Sequence, residues 1–293
     1  MRIGYCTSML RDLSLLAVLA CPQTCFTAAA HSALVPANNA PDGYELVWWD
    51  EFETDGLVDP VRWNHDTFWN LSGWFNEEQQ YYSRDRAKNA RVENGHLIIE
   101  AHREQTTRKM FRDSSGQEYT SARLESRDRG FWLHGYFEIR AKMPCGAGLW
   151  PAIWTMPEYE DDWPKGGEID IVEFYGHKPY QFEATIHTPN ENHEVGNSSA
   201  KFYRTETACT EFHTHALHWT EDEIRISVDG DEYYTRTRDS DDRDDWPFVE
   251  PHYLILNVAV RNWVGGEDGI DAEAFPARME VDYVRVYQKS DGS

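Results

Sequence analysis

Apolar and polar residues alternate along many short segments of this chain, and turn-forming residues separate one segment from the next. Residues 136–142 show the clearest case, with Phe137, Ile139 and Ala141 at odd positions and polar or amphipathic side chains at even ones. Alternation with a period of two predicts a strand that buries one face. The same pattern, with turns such as ENG at 93–95, predicts ten strands. They cover residues 44–49, 96–102, 136–143, 149–156, 169–175, 182–188, 212–219, 223–228, 253–260 and 279–288.

The chain shows no long helical period and no internal repeat. Many short strands around one core predict an all-β fold, an antiparallel sandwich. No break in the 293 residues is long enough to divide residues 43–290, so we expect these to form one domain. Residues 34–42 are predicted to be a linker.

The first 33 residues have the features of an export leader. Basic residues stand near the start, residues 13–21 form a short apolar core, and residues 28–30 are small. We expect cleavage near Ala30 or Ala33, which predicts a secreted protein. The sequence VLAC at 18–21 also resembles a lipoprotein signal, so a lipid anchor at the cell surface is the alternative. The apolar core is too short to span a bilayer, and no later segment is apolar enough to do so.

Acidic residues greatly outnumber basic ones: 51 Asp and Glu stand against 28 Lys and Arg, for a formal net charge of -23. This balance argues against a nucleic-acid partner, because phosphate binding needs clustered basic side chains. It also argues against a sulfated or uronic-acid polymer, since like charges repel at long range. A neutral partner fits better, and we expect the protein to be a monomer. The 12 Trp residues suggest stacking surfaces as well as core.

Five cysteines occur, and three of them lie in the predicted leader. Cys145 and Cys209 remain, and the sequence leaves open whether they pair or stay free. No cysteine spacing suggests zinc. His213, His215 and His218 form a cluster, but no further ligand stands at a suitable spacing, so we expect them to be strand residues without a metal.

Residues 168–173 read EIDIVE, which places three acids in a β-branched apolar run. Burying carboxylates in a strand is costly unless they serve a function. Alternation puts Glu168 and Asp170 on one face, whereas Glu173 would point the other way in a regular strand. One extra residue at 171–172, a β-bulge, would return Glu173 to the same face. We therefore predict a bulge there.

Two carboxyl groups on one face suit a retaining glycosidase, which needs them about 5–5.5 Å apart. One attacks the anomeric carbon, and the other protonates the departing oxygen. Asp170, between Glu168 and Glu173, can hydrogen-bond the nucleophile and separate the two pKa values. The alternatives are a site for a hard cation or a solvated acidic edge. The apolar neighbours in the strand count against both.

The sequences GEIDIVE at 167–173 and LWPAIW at 149–154 resemble the signature of glycoside hydrolase family sixteen, and in particular its laminarinase-like, endo-β-1,3-glucanase branch. The resemblance implies a β-jelly-roll sandwich of two antiparallel sheets with an open concave cleft, and retaining hydrolysis without a catalytic metal. Further matching stretches lie at residues 47–52, 76–82, 89–95, 119–124 and 281–287.

The resemblance also implies roles for individual residues. Glu168 becomes the nucleophile, Asp170 its assistant and Glu173 the acid/base. Predicted substrate-binding residues are Trp150, Trp154, His187, Asn76, Arg123 and Trp263. A structural calcium ion would be bound by Glu51, the backbone of Gly95, and Asp282, whose oxygen atoms suit a hard cation.

Two departures from the family pattern stand where outer sugars are expected to bind. Glu77 replaces a second Asn, and Val260-Arg261 replaces a pair of glycines. Both bear on substrate detail more than on the chemistry.

These observations predict a secreted endo-acting hydrolase of neutral β-1,3-glucan, with mixed-linkage β-1,3-1,4-glucan as a further candidate substrate. The alternatives are an agarase- or carrageenase-like hydrolase of a β-galactan, a glucan-binding module, and a transglycosylating relative. A binding module typically loses the catalytic acids, and this chain keeps all three.

Overall fold

Two sheets, antiparallel except for one parallel pair of short strands, make up almost all of the regular structure. The computed structural model describes residues 40–159, 162–262 and 269–290, and these form seventeen strands and two short 3-10 turns, Phe75–Glu77 and Ala272–Ala274. The first nine strands are β1 Tyr44–Asp50, β2 Asn64–His65, β3 Gln80–Tyr82, β4 Ala90–Glu93, β5 His96–Arg103, β6 Tyr119–Ser121, β7 Arg123–Glu125, β8 Gly135–Lys142 and β9 Leu149–Pro157. The other eight are β10 Glu168–Phe174, β11 Gln181–His187, β12 Lys201–Arg204, β13 His213–Trp219, β14 Glu223–Val228, β15 Asp231–Thr237, β16 His252–Val260 and β17 Ala277–Lys289.

The larger sheet has ten strands in the order β15-β14-β13-β8-β17-β5-β6-β3, with β1 paired to β17 and β4 to β5. The smaller sheet has seven strands in the order β12-β11-β10-β9-β16-β7-β2. One continuous cluster of buried apolar side chains draws on both sheets, including Phe137 of β8, Phe174 of β10 and Leu256 of β16. The predicted sandwich of two antiparallel sheets is confirmed.

All ten strands predicted from the alternation are present, with ends that differ by a few residues. The predicted face of β8 is also correct, since Phe137, Ile139 and Ala141 are buried. Glu138, on the opposite face, is buried as well, and its carboxylate lies 3.5 Å from the Arg285 guanidinium. The ion pair with Arg285 on the neighbouring strand therefore stabilises Glu138 at a position where the alternation predicts an exposed side chain.

The described residues belong to a single compact unit. The predicted leader and residues 34–39 of the predicted linker lie outside the described residues. Among the residues that are described, no helix has the length and apolar character needed to cross a membrane.

Cys145 and Cys209 form a disulfide, with Cα atoms 5.6 Å apart. It joins the β8–β9 loop to the segment between β12 and β13. The neighbouring backbone is tightly packed: a Cβ added at Gly176 would lie 2.0 Å from the Gly146 carbonyl oxygen. The loop after β10 thus requires glycine at position 176. The disulfide fixes the β8–β9 loop, which contains Gly146 and packs against it.

We expect the Cys145→Ala/Cys209→Ala double variant to be about 2–4 kcal/mol less stable than the wild type, because the disulfide restricts the unfolded chain across 64 residues. Guanidinium unfolding of the two proteins measures this difference. Wild-type protein unfolded under strong reductant serves as the control and should approach the variant. Equal guanidinium concentrations at the unfolding midpoint for the oxidised wild type and the double variant would contradict the expectation.

Candidate active site

The acidic strand β10 contains the predicted bulge. Asp170 lies opposite Thr185 of β11 and Trp154 of β9. Three residues later, Glu173 lies opposite residues only two steps further along those partners, Glu183 and Ala152. The extra residue makes Asp170 and Glu173 face the same way, toward the side of the sheet away from the core. Glu168 shares this face, two residues before Asp170.

Glu168 begins β10 and is half-buried. Its Oε2 accepts a hydrogen bond from the indole nitrogen of Trp163 at 2.5 Å. The Trp163 ring also lies 5.5 Å from His187 and 5.2 Å from His193, measured between ring centroids. Trp163 was not predicted from the sequence, because it stands in the loop before β10 and outside any periodic segment. The indole therefore holds one oxygen of the Glu168 carboxylate in place.

Asp170 is buried between Glu168 and His187. Its Oδ2 lies 3.1 Å from His187 Nε2. Burial raises the pKa of Asp170 well above its usual value, and the nearby Glu168 charge raises it further. A raised pKa favours the protonated form of Asp170, and that form can donate a hydrogen bond to the Glu168 carboxylate. The supporting role predicted for Asp170 requires such a hydrogen bond.

Glu173 is buried and accepts two hydrogen bonds at Oε1, from the Trp150 indole at 3.0 Å and from the Tyr175 hydroxyl at 3.3 Å. Burial raises the pKa of Glu173 well above its usual value, and the charges of Asp170 and Glu183 act in the same direction. A carboxyl group that stays protonated near neutral pH can act as a general acid.

Glu183 is a fourth acid on this face, and the sequence analysis did not single it out. It lies directly opposite Glu173 on β11 and is half-buried. Burial raises the pKa of Glu183, while Lys178 and His187 lower it. The sequence could have indicated Glu183, because it stands two residues before Thr185 and four before His187, and alternate residues of a strand share a face.

We expect Glu183→Gln to move the alkaline limb of the kcat/KM profile to lower pH. The charge of Glu183 raises the pKa of Glu173, so removing that charge lets Glu173 lose its proton at lower pH. A pH profile on a soluble glucan measures the shift. Glu183→Asp keeps the charge and should keep the wild-type limb, and an unmoved limb in the Gln variant would contradict this role.

The wall of the cleft beside β10 is built from β9, β16 and β7. Trp154 donates from its indole nitrogen to Asn257 Oδ1 at 2.7 Å, and the Arg123 guanidinium lies 4.6 Å from the Trp154 ring centroid. Arg123 Nε also lies 3.0 Å from Asp66. Both predicted tryptophans are partly exposed, Trp150 beside Glu173 and Trp154 beside Arg123. Each ring thus keeps part of its surface exposed beside an arginine side chain.

Asn76, another predicted sugar contact, lies on the exposed segment before β3. Asn76 is exposed and, with the adjacent Glu77, has a left-handed backbone, φ 60° and 59° respectively. Two such non-glycine residues in succession are strained, a feature that clusters at functional sites. Arg261 lies 5.5 Å from the Trp150 ring centroid. The two departures from the family pattern therefore border the cleft. Trp263 lies outside the described residues.

The predicted calcium ligands already have cationic partners. Both oxygens of Glu51 accept hydrogen bonds from Arg285, at 2.8 and 2.9 Å, and Asp282 accepts one from Arg140 at 2.6 Å. Gly95 lies in the tight turn between β4 and β5. Since two guanidinium groups neutralise the two carboxylates, these residues as arranged do not fit a calcium ion.

Two other groups resemble metal sites. Ligand atoms of Glu168, Asp170 and His187 lie within 4.8 Å of one another, and Glu168 already accepts a hydrogen bond from Trp163 while Asp170 lies 3.1 Å from His187. In the second group, His213 Nδ1 lies 2.6 Å from Asp229, and His218 Nε2 lies 2.8 Å from the Tyr44 hydroxyl. His213 and His218 thus have polar partners on neighbouring residues, whereas the fully buried His215 packs edge-on against Phe182, with ring centroids 4.8 Å apart.

Comparison with known proteins agrees with this geometry. The family model of glycosyl hydrolases family 16 matches residues 77–285. A beta-glucanase of Rhodothermus marinus is 46% identical over 254 residues, 84% of this chain and 85% of that protein. A glucan endo-1,3-beta-glucosidase of Cryptopygus antarcticus is 37% identical over 278 residues, 89% of this chain and 94% of that protein. The crystal structure of SCLam, a non-specific endo-beta-1,3(4)-glucanase, superposes with a TM-score of 0.82 at 47% identity, covering 85% of this chain and 93% of that one.

The bulged acidic strand, the two-sheet sandwich and these similarities, each extending over most of the chain, lead to one conclusion: this protein belongs to glycosyl hydrolase family 16.

Proposed function

We propose that this protein is a retaining endo-glycosidase that hydrolyses β-1,3-glucan and also mixed-linkage β-1,3-1,4-glucan. The observation that carries the proposal is the bulge in β10, which brings Glu168 and Glu173 onto one open face in different environments. The β-glucan-hydrolysing activities named for the similar proteins supply the substrate class.

In the first step, Glu168 attacks the anomeric carbon of the sugar bound above β10. Trp163 and Asp170 hold the Glu168 carboxyl in place from two sides. Glu173 gives its proton to the departing glycosidic oxygen as the bond breaks. The products are a glycosyl-enzyme ester on Glu168 and a free glucan end.

In the second step, a water molecule attacks the same anomeric carbon from the side that the leaving group vacated. Glu173, now ionised, accepts the proton of that water, and Glu168 departs as a carboxylate. Two inversions restore the original anomeric configuration. A sugar hydroxyl in place of water would give transglycosylation by the same route.

The chain itself supplies every group that these two steps require, so catalysis needs no cofactor. The structural calcium ion predicted from the sequence is not part of the proposal. Arg285 and Arg140 already neutralise two of its three expected ligands, Glu51 and Asp282.

The groove suits a neutral sugar chain. Trp150 and Trp154 present partly exposed aromatic surface beside the acids, and flat rings pack well on the apolar faces of pyranoses. The formal net charge of -23 repels an anionic polymer at long range. This charge disfavours a sulfated galactan as substrate.

We also propose that the protein acts outside the cytoplasm as a monomer. The Cys145–Cys209 disulfide supports export, because such bonds persist in oxidising compartments. Release into the medium and anchoring through a lipidated leader remain the two alternatives for its final location.

Incubation with laminarin, lichenan and agarose, followed by chromatography of the products, tests the proposal. We expect rapid release of short oligosaccharides of several lengths from laminarin and lichenan, and none from agarose. Release from agarose alone would support the β-galactan alternative. Binding to laminarin without release of any product would support the glucan-binding alternative.

A further inference from the structure

A cluster of aromatic side chains is exposed on the loop between β2 and β3. Phe68 is 78% exposed, Phe75 is 62% exposed and Trp69 is 36% exposed. The Trp69 ring lies between the other two, with centroids 4.9 Å from Phe68 and 5.2 Å from Phe75. We call these three residues the aromatic cluster. Leaving large apolar side chains grouped in water marks a site of interaction.

The loop that carries the aromatic cluster is firmly anchored by Asn70, which is fully buried. Its side chain donates to the Tyr82 carbonyl at 2.8 Å and accepts from the Tyr82 amide and the Trp74 indole, each at 3.0 Å. The Gln117 side chain donates to the Asn70 carbonyl at 2.6 Å. The loop is therefore already ordered, and a ligand bound there pays little further conformational entropy.

The aromatic cluster is continuous with the catalytic cleft. Trp74, next to Phe75, is buried, and the Arg123 guanidinium lies 5.3 Å from its ring and 4.6 Å from the Trp154 ring. Trp154 in turn lies opposite Asp170 on the neighbouring strand. Asp66, at the start of the loop, pairs with Arg123 at 3.0 Å. A run of neighbouring side chains thus leads from Asp170 through Trp154 and Arg123 to Trp74, which is next in sequence to Phe75 of the cluster.

We propose that the aromatic cluster is a further binding site for the glucan substrate, contacting sugars of a long chain several units away from the bond that is cleaved. This inference rests on the proposed function. The three rings offer apolar surface for pyranose faces, and the exposed Asn76 beside Phe75 offers an amide for sugar hydroxyls. A neutral chain that leaves the cleft over this rim meets no charge repulsion from the acidic protein.

The proposal predicts a loss of affinity that depends on chain length. We expect Trp69→Ala and Phe75→Ala, made singly, each to raise KM on polymeric laminarin about 10-fold, the effect of losing one stacked ring. The kcat on laminarin and both constants on laminaritriose should stay at wild-type values, because the proposal places the cluster beyond the sugars next to the cleaved bond. Tyr180→Ala, which removes an exposed aromatic side chain before β11, is the matched control. It should leave kcat and KM unchanged on both substrates.

Several outcomes would overturn the proposal. Wild-type KM on laminarin in both variants would show that the rings do not bind the polymer. An equal loss on polymer and trisaccharide would place the rings in the cleavage site itself. A wild-type dimer in sedimentation that becomes a monomer in Trp69→Ala would identify the cluster as a surface for a second copy.

A direct binding measurement separates this proposal from the proposed function. Affinity electrophoresis in gels containing laminarin needs no turnover and can be run on wild type and on each variant. Slower migration of the wild type, lost in Trp69→Ala and Phe75→Ala, supports the cluster even if no glucan is cleaved. Cleavage of laminarin without any difference in retardation would refute the cluster while leaving the proposed function intact.

Discussion

Glu168→Gln is expected to lower kcat on laminarin by about 10,000-fold or more, because an amide cannot form the glycosyl-enzyme ester. The fold should persist. The amide oxygen can still accept the hydrogen bond from Trp163, and Glu168 is only half-buried at the start of β10. Steady-state hydrolysis measures the loss, and thermal unfolding followed by circular dichroism verifies the fold.

Glu223→Gln, on β14 of the opposite sheet, makes the same chemical change away from the cleft and should keep full activity. If Glu168→Gln unfolds at the wild-type temperature and still turns over at the wild-type rate, the assignment of the nucleophile is wrong.

Glu173→Gln is expected to lower kcat/KM on laminarin by about 1,000-fold, because the departing sugar oxygen then receives no proton. The effect should depend on the leaving group. In an aryl β-glycoside of a laminari-oligosaccharide, an acidic phenol can leave without being protonated. Formation of the glycosyl-enzyme from this substrate should therefore be far less affected by the substitution than cleavage of laminarin. A burst of phenol, followed by slow turnover, is the expected time course in stopped-flow absorbance.

The same variant should also lose the alkaline limb of its pH profile on the natural substrate. Burial raises the pKa of Glu173, and the limb reports the loss of that proton as pH rises. Trp150 and Tyr175 can still donate to the amide oxygen, which keeps the site in place. Equal losses on the aryl and natural substrates would argue that Glu173 is not the acid.

The two buried acids also affect stability. The folded-state pKa values of Asp170 and Glu173 are raised, so the folded protein binds these protons more tightly than the unfolded chain. Their favourable contribution is complete below the unfolded pKa and is lost as pH rises through the folded pKa. The burial that keeps an acid protonated in the site therefore lowers the stability of the folded protein once the pH rises through the raised pKa values.

Most of the sheet structure could be predicted because the long strands are strand-like runs, alternating in β8 and fully buried in β16, with turn residues between them. Four of the seven strands that were missed lack such a run for clear physical reasons. β15, Asp231–Thr237, is mostly polar and exposed, and β12, Lys201–Arg204, is an exposed edge strand, so neither has the buried face that produces alternation. β2 and β7 are only two and three residues long, too short to show a period.

The site was predictable where it lies within one strand. The odd spacing of Glu168 and Glu173 in an apolar run required a bulge, and the structure has one at Ile171. Contacts between segments could not be derived in this way. The hydrogen bond from Trp163 depends on how a loop folds back over β10, and the position of Glu183 depends on the pairing register of β10 and β11.

The same distinction explains the arginine contacts. The resemblance assigned Arg123 to the substrate, yet its guanidinium lies between Trp74 and Trp154 and pairs with Asp66. The resemblance likewise assigned Glu51 to calcium, where β17 places Arg285 beside it. A residue type at a matching position predicts what that residue could bind, while the partners it meets depend on the rest of the chain.

The anomeric configuration of the first product tests the central claim most directly. Proton NMR during early hydrolysis of a reduced laminari-oligosaccharide shows the new reducing end before mutarotation. If Glu168 acts as nucleophile and Glu173 as acid on one face of β10, the β-anomer should appear first. Initial appearance of the α-anomer would mean that water attacks directly, and it would contradict the account.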